Sequence, residues 1–303
     1  MRCRMNNVDR LKGIIPALIT AYDAAGNIFA DETAKLVDHL ILKGVSGFYI
    51  GGTTGEGLLQ SVAERKFVIE TVLQQVSSRV PVIAHVGAMD TKTSIELAKH
   101  AAVHGATAIS AVAPFYYKHS SEQIRQHYLE IVESSGVPLV IYHIPVLSGV
   151  NTGIEFYQEL SNEPGIIGIK FTSRDSFELQ QLKAQCRNDF IVFNGADEIC
   201  LSGLLMGATG AIGSTYNIMP QEFIKIYDLV NRGEIEEAKN IQYKVNALIY
   251  EILKYDFIAF EREVLQLQGF NIGNPRKPIQ QLSVEQKSEI KRIAGQYPFL
   301  GIN

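Results

Sequence analysis

Short apolar runs recur along the chain, and each is followed by a stretch whose apolar positions return every three or four residues. The runs near Gly13 to Thr20, Gly47 to Ile50, Val80 to His85, Ala108 to Ala111, Leu139 to His143, Ile166 to Phe171, Phe190 to Asn194 and Gly210 to Ile212 read as eight strands. Helical patterns fall between them at Thr33 to Lys43, Val62 to Val76, Thr91 to His104, Glu122 to Glu133, Ile154 to Leu160 and Ile199 to Met206. Three of these open on a hydroxyl followed three residues later by Glu or Gln: Ser61 with Glu64, Ser120 with Gln123 and Thr152 with Glu155. Such a pair satisfies two free N–H groups at a helix start.

Strand then helix, repeated with short connections, is the pattern of a parallel sheet, and eight units favour closure into a (β/α)8 TIM barrel. An open doubly wound sheet is the alternative, but no GxGxxG follows the first strand and no composition shift marks a second half. About ninety residues follow the eighth strand, more than one closing helix needs. Pro220 to Asn231, Glu234 to Lys254, Phe257 to Leu267 and Val284 to Ala294 all read as helical, so an α/β barrel with a C-terminal helical appendage is expected. The expected division is a barrel over 1–232 and a helical extension over 233–303 packed on it within one domain. Gly273 to Pro278 is the conspicuous linker.

Composition narrows the function. With 46% hydrophobic and 20% charged residues the chain can bury a core, and its net charge of -4 with no basic stripe argues against nucleic-acid and membrane-surface partners. Cys3, Cys186 and Cys200 form no close pair, which suggests free thiols in a reducing compartment. The segment Met1 to Arg10 is polar, without the apolar stretch of a signal peptide, and no later segment is long enough to span a bilayer. A cytoplasmic location is the expectation.

In a barrel, function-bearing residues belong at the C-terminal ends of strands. The sixth strand ends in Lys170, which is either the first solvated residue of that strand or a buried amine that sheds its charge and becomes a nucleophile. After the second strand, Gly51 to Gly57 (GGTTGEG) offers backbone N–H groups and the hydroxyls of Thr53 and Thr54, which suits a carboxylate. The same loop also reads as a turn capped locally by Thr53 and Glu56. Tyr142 either points its phenol into the barrel beside Lys170 or is a core tyrosine satisfied by a carbonyl. Asp197 and Glu198 either favour a helix dipole or accept hydrogen bonds from substrate hydroxyls. Ser214 is an N-cap or a substrate contact. His100 and His104 stand four apart on one predicted helix, lack the Glu of HExxH, and read as surface residues. No GxSxG elbow is present.

Seven segments in order resemble the Schiff-base class I aldolase family that contains dihydrodipicolinate synthase and N-acetylneuraminate lyase, and they lie closer to its lyase branch. They are GGTTGEG from Gly51, AHVG from Ala84, SAVAPFYY from Ser110, YHIPVLSGV from Tyr142, IKFTS from Ile169, NGADE from Asn194 and GAIGSTYNIMP from Gly210. The resemblance implies that Lys170 forms an imine with a keto acid, that Tyr142 is the proton donor, and that Thr53 and Thr54 hold the carboxylate. It further implies that Thr172, Gly195, Asp197, Glu198 and Ser214 hold the sugar part of the substrate. Tyr116 matches an aromatic residue that a neighbouring subunit contributes towards the site, which implies a homotetramer. No metal or diffusible cofactor is implied.

Two departures from the family pattern stand out. His143 occupies a position where the lyases usually have Asn, and strand alternation should turn it away from Tyr142. The synthase places an arginine shortly after YxxP to grip a second carboxylate, and Val146, Leu147 and Ser148 provide none. The expected reaction is therefore cleavage of a sialic acid to pyruvate and an amino sugar, once the lysine imine has made the keto carbon an electron sink. Aldol cleavage of another 2-keto-3-deoxy sugar acid is the nearest alternative, ahead of a synthase-like reaction and a non-catalytic sugar-acid sensor.

Overall fold

The computed structural model describes residues 9–302. Eight parallel strands follow one another in the order β1 (Gly13–Pro16), β2 (Phe48–Ile50), β3 (Val82–His85), β4 (Ala108–Val112), β5 (Leu139–His143), β6 (Ile166–Phe171), β7 (Ile191–Asn194) and β8 (Gly210–Gly213). Ladders join β2 through β8 in sequence and β8 to β1. The remaining seam, β1 to β2, is closed by a parallel bridge of Ala17 with Tyr49 and by Leu18 N–H donating to the Tyr49 carbonyl at 2.8 Å. The expected TIM barrel is present.

Each strand is followed by a helix: α1 (Ala30–Leu42), α2 (Val62–Val76), α3 (Thr91–Val103), α4 (Ser121–Ser135), α5 (Ile154–Ser161), α6 (Ser176–Gln185), α7 (Cys200–Leu205) and α8 (Pro220–Arg232). Three more, α9 (Ile235–Ile252), α10 (Phe257–Leu267) and α11 (Val284–Ala294), form the C-terminal helical part. Residue parity along the strands decides what faces inward. Leu139, Ile141, Ile169 and Phe171 join the apolar layer between strands and helices. Val140, Tyr142, Ile83, Phe193 and Ile212 fill the barrel interior instead.

The expected caps form at Ser61 and Ser120, each with its reciprocal Glu or Gln bond. The one expected at Thr152 does not: α5 starts one residue later, with Gly153 at φ 78 as its N-cap and no side-chain bond to the helix. A glycine takes that left-handed backbone readily, so the chain enters the helix there. α6 and a single helical turn at Pro145–Ser148 escape the periodicity reading, because α6 buries only Leu179 and Leu182 and the turn buries nothing. β1 is shorter than expected, since beyond Ala17 its chain leaves the sheet. Cys186 and Cys200 are buried free thiols, and Cys3 lies outside the described residues. Among the described residues no helix is long and apolar enough to cross a membrane.

Candidate active site

Tyr142 and Lys170 face each other across the β5–β6 ladder as register partners, and both point into the barrel. Lys170 is 4% exposed. Its Nζ lies 4.2 Å from the centre of the Tyr142 ring and 4.5 Å from that of Tyr49. Lys170 is therefore buried and is not the first solvated residue of its strand. Two electron-rich ring faces flank its amine.

The Tyr142 phenol does not find a backbone carbonyl. It hydrogen-bonds the Thr53 hydroxyl at 3.2 Å, which joins the glycine-rich loop after β2 to the lysine. Tyr49 and His85 each meet the Tyr142 ring edge to face at 5.7 Å between centroids, fixing its plane. His85 Nδ1 lies 3.1 Å from the Gly51 carbonyl, and its Nε2 lies 3.3 Å from the Val112 N–H, which donates to it. With Nε2 an acceptor, the Nδ1 proton goes to Gly51 and the imidazole is neutral. Burial pushes its pKa well below the ordinary value, in the same direction.

Glu56 does not cap the turn through its side chain. Its carboxylate is buried in an ion pair with Arg262 of α10 and also accepts the Arg276 N–H at 2.7 Å. Arg262 is completed by the carbonyls of Thr20 at 2.7 Å and Ile272 at 2.9 Å. The glycine-rich loop is thus tied to the C-terminal helices. Thr54 is buried beside Thr53 in the same loop.

The expected sugar-binding residues divide into two groups. Thr172 and Gly195 lie together: Gly195 N–H donates to the Phe171 carbonyl at 2.8 Å, and a Cβ on Gly195 would stand 2.2 Å from Thr172 Oγ1. That hydroxyl is buried and lacks a partner among the described residues. The others are engaged within the chain. Asp197 Oδ2 accepts from the Thr215 N–H at 2.9 Å and hydroxyl at 2.7 Å, and Glu198 pairs with Arg174 at 2.6 Å near the surface. Burial raises the Asp197 pKa to about 6 despite those two donors.

Ser214 does not cap the turn that follows it. Its hydroxyl donates at 2.8 Å to Glu261 of α10, a fully buried carboxyl whose pKa burial raises well above the ordinary value. Glu261, Tyr49, Ser110 and His85 were not singled out as site residues from the sequence. Tyr49 and Ser110, whose hydroxyls are 3.0 Å apart, sit within apolar strand runs where nothing marks them. Glu261 had a visible signal, a charged Glu-Arg-Glu triplet interrupting the apolar helix pattern of Phe257 to Leu267.

A cavity of about 190 Å³ adjoins Tyr142 and Thr53, lined also by His85, Val112, Phe115 and Leu147 among others. His143 points the other way, as alternation requires, with Nδ1 2.7 Å from the Tyr157 hydroxyl and its ring stacked on Phe171 at 5.0 Å. It takes no part in the cavity. A buried amine, a phenol, a donor-rich loop and the unpartnered Thr172 hydroxyl on one rim form a site for imine chemistry on a carbonyl acid.

Known proteins carry the same arrangement of chain. Residues 10–297 match the model of the dihydrodipicolinate synthetase family. An N-acetylneuraminate lyase of Mediterraneibacter gnavus is 36% identical over 96% of this chain and 94% of its own length. The structure of CdNal from Clostridium difficile in complex with mannosamine superposes with a TM-score of 0.92 at 36% identity, covering 95% of this chain and 99% of that one. N-acetylneuraminate lyase from Fusobacterium nucleatum complexed with pyruvate gives 0.91 at 34% identity, with 97% and 99% covered. With a match spanning nearly the whole barrel and its C-terminal helices, the chain belongs to the dihydrodipicolinate synthetase family.

Proposed function

We propose that the chain is a class I aldolase that cleaves N-acetylneuraminate to N-acetylmannosamine and pyruvate through an imine on Lys170. The observation that carries this reading is the Lys170 amine held against Tyr142, whose phenol in turn meets Thr53. The amine attacks the C2 ketone of the open-chain substrate and water leaves, so the protonated imine becomes an acceptor for the electrons of the C3–C4 bond. Thr53 and Thr54 hold the substrate carboxylate. Tyr142, through that carboxylate, takes the C4 hydroxyl proton as the bond breaks and returns it to the enamine carbon. Hydrolysis then frees pyruvate and restores the lysine.

Thr172, Gly195, Asp197, Glu198 and Ser214 hold the hydroxyl-bearing tail. The relatives complexed with mannosamine and with pyruvate support the two halves of this substrate. Val146 and Leu147 are exposed apolar residues on the turn after β5, and Leu147 lines the cavity, so no guanidinium offsets the desolvation of a second carboxylate there. That favours the lyase over the synthase reaction.

The reading extends to a homotetramer working in the cytoplasm. Tyr116 supports the assembly: it is 84% exposed, its backbone sits at φ 78, and it packs edge to face on Tyr117. A non-glycine residue at such a φ is held there at a cost, which suits a side chain presented to a neighbouring copy. The test is turnover of N-acetylneuraminate, coupled to pyruvate release, by the wild type and Lys170→Ala, together with borohydride reduction in the presence of pyruvate. A pyruvyl adduct on Lys170 and loss of turnover in the variant are expected. Unmodified Lys170 under conditions that trap a known imine-forming aldolase would overturn the mechanism.

A further inference from the structure

Away from the cavity, two outer helices bring together three groups that the aldol chemistry does not use. Glu70 is on α2, His100 is in the last turn of α3, and His104 immediately follows α3. The barrel's helices run opposite to its strands, so this cluster lies towards the face away from Lys170. One ligand atom from each residue falls within 4.8 Å of the other two, the one such trio of His, Cys, Asp or Glu among the described residues.

His100 and His104 are four residues apart, which places them on one face of the helix with ring centroids 4.3 Å apart. The His104 Nδ1 is accounted for, and His100 has a backbone partner as well. His104 Nδ1–H donates to the His100 carbonyl at 2.9 Å, and His100 is hydrogen-bonded to the Lys66 backbone. A ring that donates from Nδ1 presents its Nε2 lone pair outward, the form in which histidine binds metals. Both Nε2 atoms are turned to Glu70 Oε1, at 2.9 Å from His100 and 3.9 Å from His104. His100 Nε2 is buried and makes no hydrogen bond of acceptable geometry among the described residues.

A nitrogen lone pair against a carboxylate oxygen requires a cation between them, either a proton or a metal. We propose that Glu70, His100 and His104 form a binding site for a divalent transition metal that ties α2 to α3. Tetrahedral zinc with bonds of about 2.0 Å sets its ligand atoms about 3.3 Å apart, and the three ligand atoms here already lie within 4.8 Å of one another. Two imidazoles and one carboxylate select Zn2+, Co2+, Ni2+ or Cu2+ over Mg2+ and Ca2+. Three protein ligands leave a fourth position for water.

The test uses tag-free, chelator-treated full-length enzyme titrated with Co2+, whose visible absorption reports nitrogen coordination. One cobalt per chain, displaced by Zn2+ and indifferent to millimolar Mg2+, is expected. His100→Ala/His104→Ala should abolish the signal and Glu70→Gln should weaken it, while aldol turnover and far-ultraviolet circular dichroism stay those of the wild type. Zn2+ should raise the wild-type unfolding midpoint and leave that of the double variant unmoved. A spectrum of hydrated cobalt alone, or equal binding by the wild type and the double variant, would overturn the site. If the double variant fails to fold, Glu70→Gln read by the same spectrum decides: an unchanged signal refutes the proposal.

Discussion

Asp197→Asn should make the protein more stable at neutral pH, and the gain should depend on pH in a defined way. Asp197 is buried at the end of β7, and its pKa rises from 3.8 to about 6, chiefly because burial penalises the charge. The folded state therefore keeps a proton that the unfolded chain has already released. Stability falls as pH rises wherever the native state binds more protons, at about 1.4 kcal/mol per pH unit for one group. Over a shift of this size the wild type forfeits roughly 3 kcal/mol between pH 4 and pH 6 that a non-titrating residue retains. Asparagine keeps an oxygen to accept from the Thr215 N–H and hydroxyl, so the anchoring geometry survives. Glu261 also titrates upward, mainly through its own burial, but it is present in both proteins and most of its contribution cancels in the difference. Urea unfolding of the two proteins from pH 4.5 to pH 8 gives the difference directly. The variant's advantage should grow through pH 6 and level off above it. A difference independent of pH, or one that shrinks as pH rises, would refute the assignment of a raised pKa to Asp197.

Other substitutions separate chemistry from architecture. Tyr142→Phe keeps the ring against Lys170 and Tyr49 but removes the proton carrier, so kcat should fall by about 10²–10⁴ with little change in unfolding midpoint. Gly195→Ala drives a methyl to 2.2 Å from Thr172 Oγ1, which should cost about 1–3 kcal/mol of stability by urea titration and raise KM for the sugar acid more than it lowers trapping by pyruvate. Arg262→Met leaves Glu56 as an unpaired buried charge and should cost about 3–5 kcal/mol, whereas Glu56→Gln/Arg262→Met should recover most of that loss in a double-mutant cycle.

The barrel was legible because its signal is periodic and local. Apolar strand runs and amphipathic helices repeat at a spacing that only a parallel sheet accommodates, and parity along β5 and β6 put Tyr142 and Lys170 inside together. What could not be read was which partner each polar side chain takes. Glu56 reads as a local cap, and its partner Arg262 lies some two hundred residues downstream. The hydroxyls of Tyr49 and Ser110 are invisible in apolar strands for the same reason: their meeting is decided by neighbouring strands and not by neighbouring residues. Thr152 failed as a cap because a glycine one position on offered the chain an easier entry to α5.

The charged triplet of α10 also explains why a complete barrel carries further helices. The sheet is weakest between β1 and β2, where a single bridge replaces a ladder. Consecutive residues of α10 reach both sides of that seam: Glu261 accepts from Ser214 after β8, while Arg262 binds Glu56 after β2 and the Thr20 carbonyl after β1. The Arg262–Glu56 pair, a buried charge pair that is costly unless fully partnered, is completed by the Thr20 and Ile272 carbonyls and the Arg276 N–H, while burial favours the neutral form of Glu261. Here the partners are the loops that carry Thr53 and Ser214, so the C-terminal helix sets the distance between those two loops, the proposed carboxylate-binding and sugar-binding ends of the rim. If so, Glu261→Gln, which preserves an acceptor for Ser214, should leave that spacing and KM intact. Glu261→Leu should raise KM for the sugar acid while pyruvate still traps on Lys170. Equal effects of the two substitutions on both ligands would show that α10 stabilises the barrel without positioning its rim.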